Sequence, residues 1–440
     1  MTRPEKTVGY GDLILGNPEF RKLWLGQVVS NLGDWFNNVA VLGLVWELTG
    51  SGLVASLVIL SNTVPSVVIT PVAGVVLDRF DRRKVMIAAD LIRAVLALGF
   101  LLVHRPDQVW LTYLFGAALV AVSAFFQPAM SAAIPRLASE RELIAANGLS
   151  SSTWGMMLAV GAALGGLVTG LLGREIAFIV NALSFVLSAG LIWMIRTPLS
   201  PERDEVAAPV LSPWGEFREG VSFARRSPQV LSLLLVKAGW GMGGGILVLL
   251  TVFGAQVFAA GDIGIGSLYA ARGLGVLIGP YVVRPFVGND FRLMRRAIPL
   301  AFLISGTFYM LFSRTPFLLL GMVTVVCAHI GGSISWTLSS VMLQQVVPDH
   351  LRGRIFSFDS TLVTGAIALS TFAVGWSVEK TDPRLVALLT ASVFVLYGVA
   401  WTAVTRSSVR KNPTAWPEPV VRQEPVAGQF VEQSPRARGA

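Results

Sequence analysis

Twelve stretches of mostly apolar residues, each near twenty long, recur along the chain at 23–46, 54–77, 85–103, 109–133, 149–172, 175–195, 229–257, 264–283, 297–313, 316–341, 355–378 and 385–405. A bilayer core about 30 Å thick is crossed by roughly 20 such residues in a helix. Two of the segments, 264–283 and 355–378, carry polar residues and are included on the pattern of their neighbours. The repetition predicts an all-α integral membrane protein with twelve transmembrane helices. Composition agrees: 53% of residues are hydrophobic and 14% are charged, against about 25% charged in an ordinary soluble domain. A disordered chain is excluded and a soluble enzyme disfavoured. Cys327 is the single cysteine, and His104, His329 and His350 lie far apart. No disulfide framework or metal site is expected, and no cofactor. The start, 1–21, is polar and holds Pro4 and Pro18, which leaves no apolar core for a cleavable signal.

Charge gives the orientation. Of the 35 Lys and Arg residues, 27 fall on the side that carries both ends of a twelve-span chain and five on the other. The remaining three, Arg93, Lys237 and Arg272, lie within spans. Basic residues concentrate on the cytoplasmic side, so both termini are predicted to be cytoplasmic and the protein to sit in the cell membrane. The bias also accounts for the net charge of +9 without a nucleic-acid partner.

The longest internal polar stretch, 196–228, contains Pro198, Pro201, Pro209 and Pro213 and then an amphipathic piece, 214–226. That piece reads either as a helix on the cytoplasmic interface or as a solvated linker helix. It divides the chain into a cytoplasmic N-terminus at 1–22, a six-helix bundle at 23–195, the linker at 196–228, a second six-helix bundle at 229–405 and a tail at 406–440. The tail is rich in Pro, Gln, Glu and Arg and is expected to be disordered. The halves echo each other. Gly74 and Gly279 precede basic loops, and Pro135 and Pro348 follow the fourth and tenth spans. Two pseudo-symmetric bundles are a transporter layout.

The loop after the second span carries Gly74, Asp78, Arg79, Arg82 and Arg83 in the spacing G-x-x-x-D-R-x-x-R-R. It resembles the signature of the major facilitator superfamily. A glycine there permits close helix contact, and the aspartate can face a helix N-terminus. The arginines can bridge carboxylates and lipid phosphates. The segments from Asn17 to Asp34, from Phe125 through Pro128 to Pro135 with Ala146 and Asn147, and Pro348-Asp349 with Arg352-Gly353-Arg354 resemble the drug and siderophore exporter branch. That branch includes macrolide efflux proteins and the enterobactin exporter. The resemblance covers roughly 15–405. It implies a proton-coupled exporter of a small, often amphipathic molecule, working by alternating access as a monomer. It also implies that Asp78 meets the eleventh span near Gly353–Ser357, with Arg354 and Asp359 in the same gate. Gly161, Gly165, Gly166 and Gly170 share one face of the fifth span. They read either as a packing seam or as a loose likeness to the superfamily's glycine-rich antiporter motif, with Gly165-Gly166 where Gly-Pro is usual.

Ionisable groups at bilayer depth are costly and mark function. Asp34 lies about eleven residues into the first span, roughly 16 Å deep, among Asn31, Asn37 and Asn38. It is the expected proton-coupling group, the other reading being a structural pair with a nearby cation. Lys237 and Arg272 are the cations expected to oppose it across the cavity. Asp90 and Arg93, i and i+3 in the third span, read as a structural pair. Trp35, Phe36, Phe126, Trp154, Trp240, Tyr269, Trp336 and Trp376 are expected to reach the interior, where aromatic walls suit flat or amphipathic ligands. Three other functions compete: an uptake symporter on the same fold, a membrane enzyme, and a non-transporting receptor or lipid scramblase. No phosphate-binding GxxxxGK[ST] loop and no cluster of His and acids favours an enzyme.

Overall fold

The computed structural model describes residues 8–66, 68, 69, 73, 77, 80–199, 213–288 and 290–411. The described chain is helical, with no strand among these residues. Nine of its helices are long and apolar enough to cross a membrane, and a shorter apolar piece spans Gly52–Ser66. The first and ninth expected segments are helices of 32 and 22 residues, Pro18–Thr49 and Phe291–Phe312, which are not among the nine. Each is helical for its full length but diluted by polar residues. Gln27, Asn31, Asp34, Asn37 and Asn38 interrupt the one, and Arg292, Arg295 and Arg296 open the other.

A short helix, α1 (Tyr10–Gly16), precedes α2 (Pro18–Thr49). Asn17 caps α2, its side chain accepting from the Phe20 amide, and Pro18 fills the first turn, where its missing N–H costs nothing. α3 (Gly52–Ser61) begins behind the cap Ser51. α4 (Arg82–Gly99), capped by Asp81, α5 (Trp110–Leu137), α6 (Leu143–Leu172) and α7 (Arg174–Trp193) complete the first half. The linker helix α8 (Pro213–Arg226) leads to α9 (Pro228–Met242) and α10 (Ile246–Val252). α11 (Gly261–Val287), α12 (Phe291–Phe312), α13 (Leu318–Val346), α14 (Asp349–Val378) and α15 (Pro383–Lys411) follow.

Two boundaries differ from expectation, and the linker helix has a partner. The segment 229–257 is not one helix: it turns at Gly243–Gly245 and ends in a π-helical turn at Phe253–Val257. The glycines let the chain pass flush against neighbours, since a Cβ on Gly243 would meet the Phe394 ring at 2.1 Å. The last helix continues six residues past 405, to Lys411. The linker helix docks on protein as well as facing outward, for Arg354 donates to Glu219 at 2.5 Å and Gly220 abuts the Arg354 backbone.

Packing follows the halves. In the first, α2 packs on α6 and α7, and α4 on α5 and α7; in the second, α12 packs on α13 and α15, and α9 on α13 and α14. Segments distant in sequence are tied together in the first half. The Asn17 side chain donates to the Leu137 carbonyl at 2.7 Å, Trp24 to Thr153 at 2.9 Å, and Gln27 and Ser150 bond reciprocally. The halves meet along α6 and α11. Gly166 and Gly266 face each other, and a Cβ on Gly266 would lie 2.6 Å from the Ala162 carbonyl oxygen and from the Gly166 Cα. A Cβ on Gly273 would lie 2.4 Å from the Ala159 nitrogen, and one on Gly155 2.9 Å from the Leu277 side chain. Small residues allow this approach, which dispersion alone rewards in lipid. Gly161 and Gly165 accommodate Trp35 and Phe36 of α2. The glycine face is therefore a packing seam.

Candidate functional site

Three groups of charge occupy the interior. The first lies in the N-terminal half. Asp34 sits midway along α2, and its carboxylate is 3.9 Å from the Arg93 guanidinium. Arg93 also pairs with Asp90 one turn back on α4 and donates to Ser123 at 3.3 Å. The rings of Phe126 and Phe185 lie 4.6 and 4.3 Å from its guanidinium carbon. Asp90 and Arg93 are buried, whereas the Asp34 side chain is 37% exposed. One guanidinium, fixed between two aromatic faces, thus serves two carboxylates. The tightly held one is Asp90 and the loosely held one is Asp34. Asp90 and Arg93 are a pair as expected, but the pair extends to Asp34.

The second group lies in the C-terminal half. Lys237 of α9 pairs with Asp359 of α14, and both are buried. The Trp336 ring lies 5.0 Å from the ammonium. Lys237 therefore does not oppose Asp34 in this structure, and Asp359 is buried inside its own half. The reason is rotational phase: α9 turns Lys237 toward α14.

The third group is Arg272 of α11. It lines a cavity of about 110 Å³ between the halves, with Trp35, Asn38, Asn62, Thr63 and Tyr269 among the walls. Tyr269 stands 6.2 Å from Trp35 and 5.9 Å from the guanidinium carbon. No carboxylate among the described residues pairs with Arg272, and its Nε is buried with no hydrogen-bond partner. Trp35 and Tyr269 thus line an interior space as expected. Phe126, Phe36 and Trp240 are packed away instead. Phe126 lies against Arg93, and Trp240 is wedged between Trp336, His329 and Phe394. Trp154, Trp336 and Trp376 are each 40–50% exposed, and Trp376 carries Lys380 at 3.8 Å.

Gly74, Asp78 and Arg79 of the loop signature lie outside the described residues, so the expected contact of Asp78 with Gly353–Ser357 does too. Arg82 and Arg83 donate to the carbonyls of Ala132 at 3.2 Å and of Trp193. Among the described residues these partners are backbone carbonyls, that of Trp193 at the C-terminus of α7, not the carboxylates expected. A cation at a helix C-terminus meets the negative end of the dipole. Gly353 has open space where a Cβ would be, and Arg354 is held by Glu219.

One cluster escaped sequence reasoning. At the face opposite the linker, Arg174 at the start of α7 pairs with Glu47 of its own half and bidentately with Asp262 of the other half, at 3.0 and 3.1 Å. Beside it Glu379 accepts from Ser51 at 2.7 Å and from the Leu53 amide at 3.0 Å, again joining the halves. The signal was an arginine on the basic-poor side of the chain, next to a helix start. Replacing Arg174 by Ala removes the one guanidinium among the described residues that fastens Asp262. It should raise labelling of a cysteine introduced at Val39 by a membrane-impermeant thiol reagent added from the face opposite the linker; unchanged labelling would show that Arg174 does not fasten that face.

Two helix sets meeting along a small-residue seam, with buried charges in each and a cavity between, define a multi-pass membrane transporter. The chain matches the family described as transmembrane secretion effector over residues 14–431 and belongs to it, within the major facilitator superfamily. Macrolide efflux protein A of Streptococcus pyogenes is 26% identical over 358 residues, which cover 80% of this chain and 87% of that one. The uncharacterized MFS-type transporter YfiS of Bacillus subtilis (strain 168) is 29% identical over 214 residues, 48% of this chain and about half, 51%, of YfiS. Among solved structures, a bacterial homolog of the human lysosomal transporter Spinster, inward-facing and unoccupied, superimposes with TM-score 0.69 at 16% identity, covering 89% of this chain and 97% of that one. The nucleoside transporter NupG gives 0.67 at 14%, covering 88% and 99%. The two structures establish the fold.

Proposed function

We propose that this protein is a secondary active exporter of a small amphipathic molecule, exchanged for protons by alternating access. In this reading it is a monomer in the cell membrane with both termini cytoplasmic, and the proton gradient supplies the energy without a cofactor. The observation that carries the reading is the shared guanidinium. Asp34 and Asp90 together bring two negative charges to the single positive charge of Arg93, so the cluster has one carboxylate in excess. Burying an excess charge is expensive, and a proton on one carboxylate removes it. Asp34 is more exposed and farther from the guanidinium than Asp90, which makes it the group that exchanges the proton. The name of macrolide efflux protein A supports the outward direction and an amphipathic cargo. With the linker face cytoplasmic, the Arg174 and Glu379 contacts close the outer end.

The test is transport in inverted membrane vesicles against a panel of amphipathic drugs and siderophores, with and without an imposed proton gradient. Gradient-dependent accumulation inside the vesicles, absent from vesicles lacking the protein, is the expected result. Accumulation indifferent to the gradient, or flux of every compound only out of the vesicles, would sink the proposal.

A further inference from the structure

Among the described residues Arg272 is a cation without an anion. It lies eleven residues from the start of α11, and Asn38 lies eleven residues from the end of α2. Both helices are counted here from the face opposite the linker, which puts the cavity roughly 16 Å in from that face at 1.5 Å per residue. A guanidinium at such depth is normally paired with a carboxylate. The other interior cations are paired so, Arg93 with Asp90 and Lys237 with Asp359. Around Arg272 the described residues offer neutral groups. Asn62 is spent on Asn38 at 3.4 Å, Thr63 on the Ile59 carbonyl and Tyr269 on the Leu247 carbonyl. On its other side Tyr309 and His329 bond each other at 2.7 Å. Asp34 is one turn from Asn38 on α2 but has Arg93 as its cation.

We infer that Arg272 is the docking point for an anionic headgroup of the substrate, and that the transported molecule is an aromatic or amphipathic carboxylate. The inference rests on the transporter reading above and names its cargo. The geometry fits. A guanidinium binds a carboxylate through parallel N–H donors, and the buried Nε has no other acceptor. The volume of about 110 Å³ holds about three to four waters at ~30 Å³ each, enough for a carboxylate headgroup but not for a whole amphipathic molecule. Trp35 and Tyr269, 6.2 Å apart, flank the entry of a ring attached to it. A carboxylate arriving there supplies the charge that the fold withholds.

Binding of 1-naphthoate and of neutral 1-naphthamide to the purified full chain in detergent, by titration calorimetry, tests this. The acid should bind at least about tenfold more tightly than the amide, a difference of about 1.4 kcal/mol. Arg272→Gln should bring the ratio to about one and Arg272→Lys should keep part of it. Equal binding by the wild type, binding of neither probe, or a preference that survives Arg272→Gln overturns the inference. The lysine variant guards against a fold defect, since it keeps the charge. The two readings fail separately. Gradient-driven flux of neutral or cationic compounds with no preference for acids removes the anion site and leaves the exporter. Preferential acid binding without gradient-driven flux does the reverse.

Discussion

Asp34→Asn should eliminate uphill, gradient-driven flux while downhill exchange of substrate continues. The amide keeps the shape of the carboxylate but cannot carry a proton, and it leaves Arg93 with Asp90 as its one anion. The two-to-one excess of carboxylates disappears, and with it the reason for the cluster to take up a proton. Substrate-induced proton release from reconstituted vesicles, at matched protein content, is the measurement. Flux should fall to the level of protein-free vesicles under a pH gradient alone. Normal proton release by the variant would make Asp34 a structural residue and move coupling elsewhere, with Asp359 the next acid to examine. Because Arg93 is clamped between Phe126 and Phe185, its position should survive the substitution, so a loss of coupling need not be a loss of fold.

Gly266→Val should disrupt the seam strongly. Even one methyl there would lie 2.6 Å from the Ala162 carbonyl oxygen and from the Gly166 Cα. Both are backbone atoms of α6 and cannot rotate away. The helices must separate, and overpacking of this kind costs about 1–3 kcal/mol. Thermal unfolding of the purified protein should begin several degrees lower. Gly353→Ala, where a Cβ meets nothing within 4 Å, is the control and should leave the midpoint unchanged. An unchanged midpoint for Gly266→Val would mean that the seam is not under compression.

Much of this architecture was legible in the chain because lipid imposes one length and one bonding rule on every span. Asp34 stood out for the same reason: depth can be counted in residues, and an acid at mid-depth is conspicuous. The partners of the charges that lie far apart in sequence were not legible. Lys237 and Asp359 are 122 positions apart, and nothing in a local pattern tells which way α9 is rotated against α14. Phe126 illustrates a second limit. An aromatic ring on an interior span can wall a cavity or lie against a cation, and only the position of Arg93 decides. The Arg174 cluster shows a third. A charge bias counts residues per side, and it passes over the single arginine whose value lies in fastening one half to the other.

The unequal charges of the two halves have an electrical consequence. On the proposed exchange, an anion leaves as a proton enters, and both movements carry positive charge inward in effect. Each cycle transfers two elementary charges. At a membrane potential of 100 mV, negative inside, each charge is worth about 2.3 kcal/mol, so voltage alone would drive the cycle by about 4.6 kcal/mol, even with no pH difference. A carrier built this way would act as a current source, and its pumping would track the voltage of the cell more steeply than its acidity.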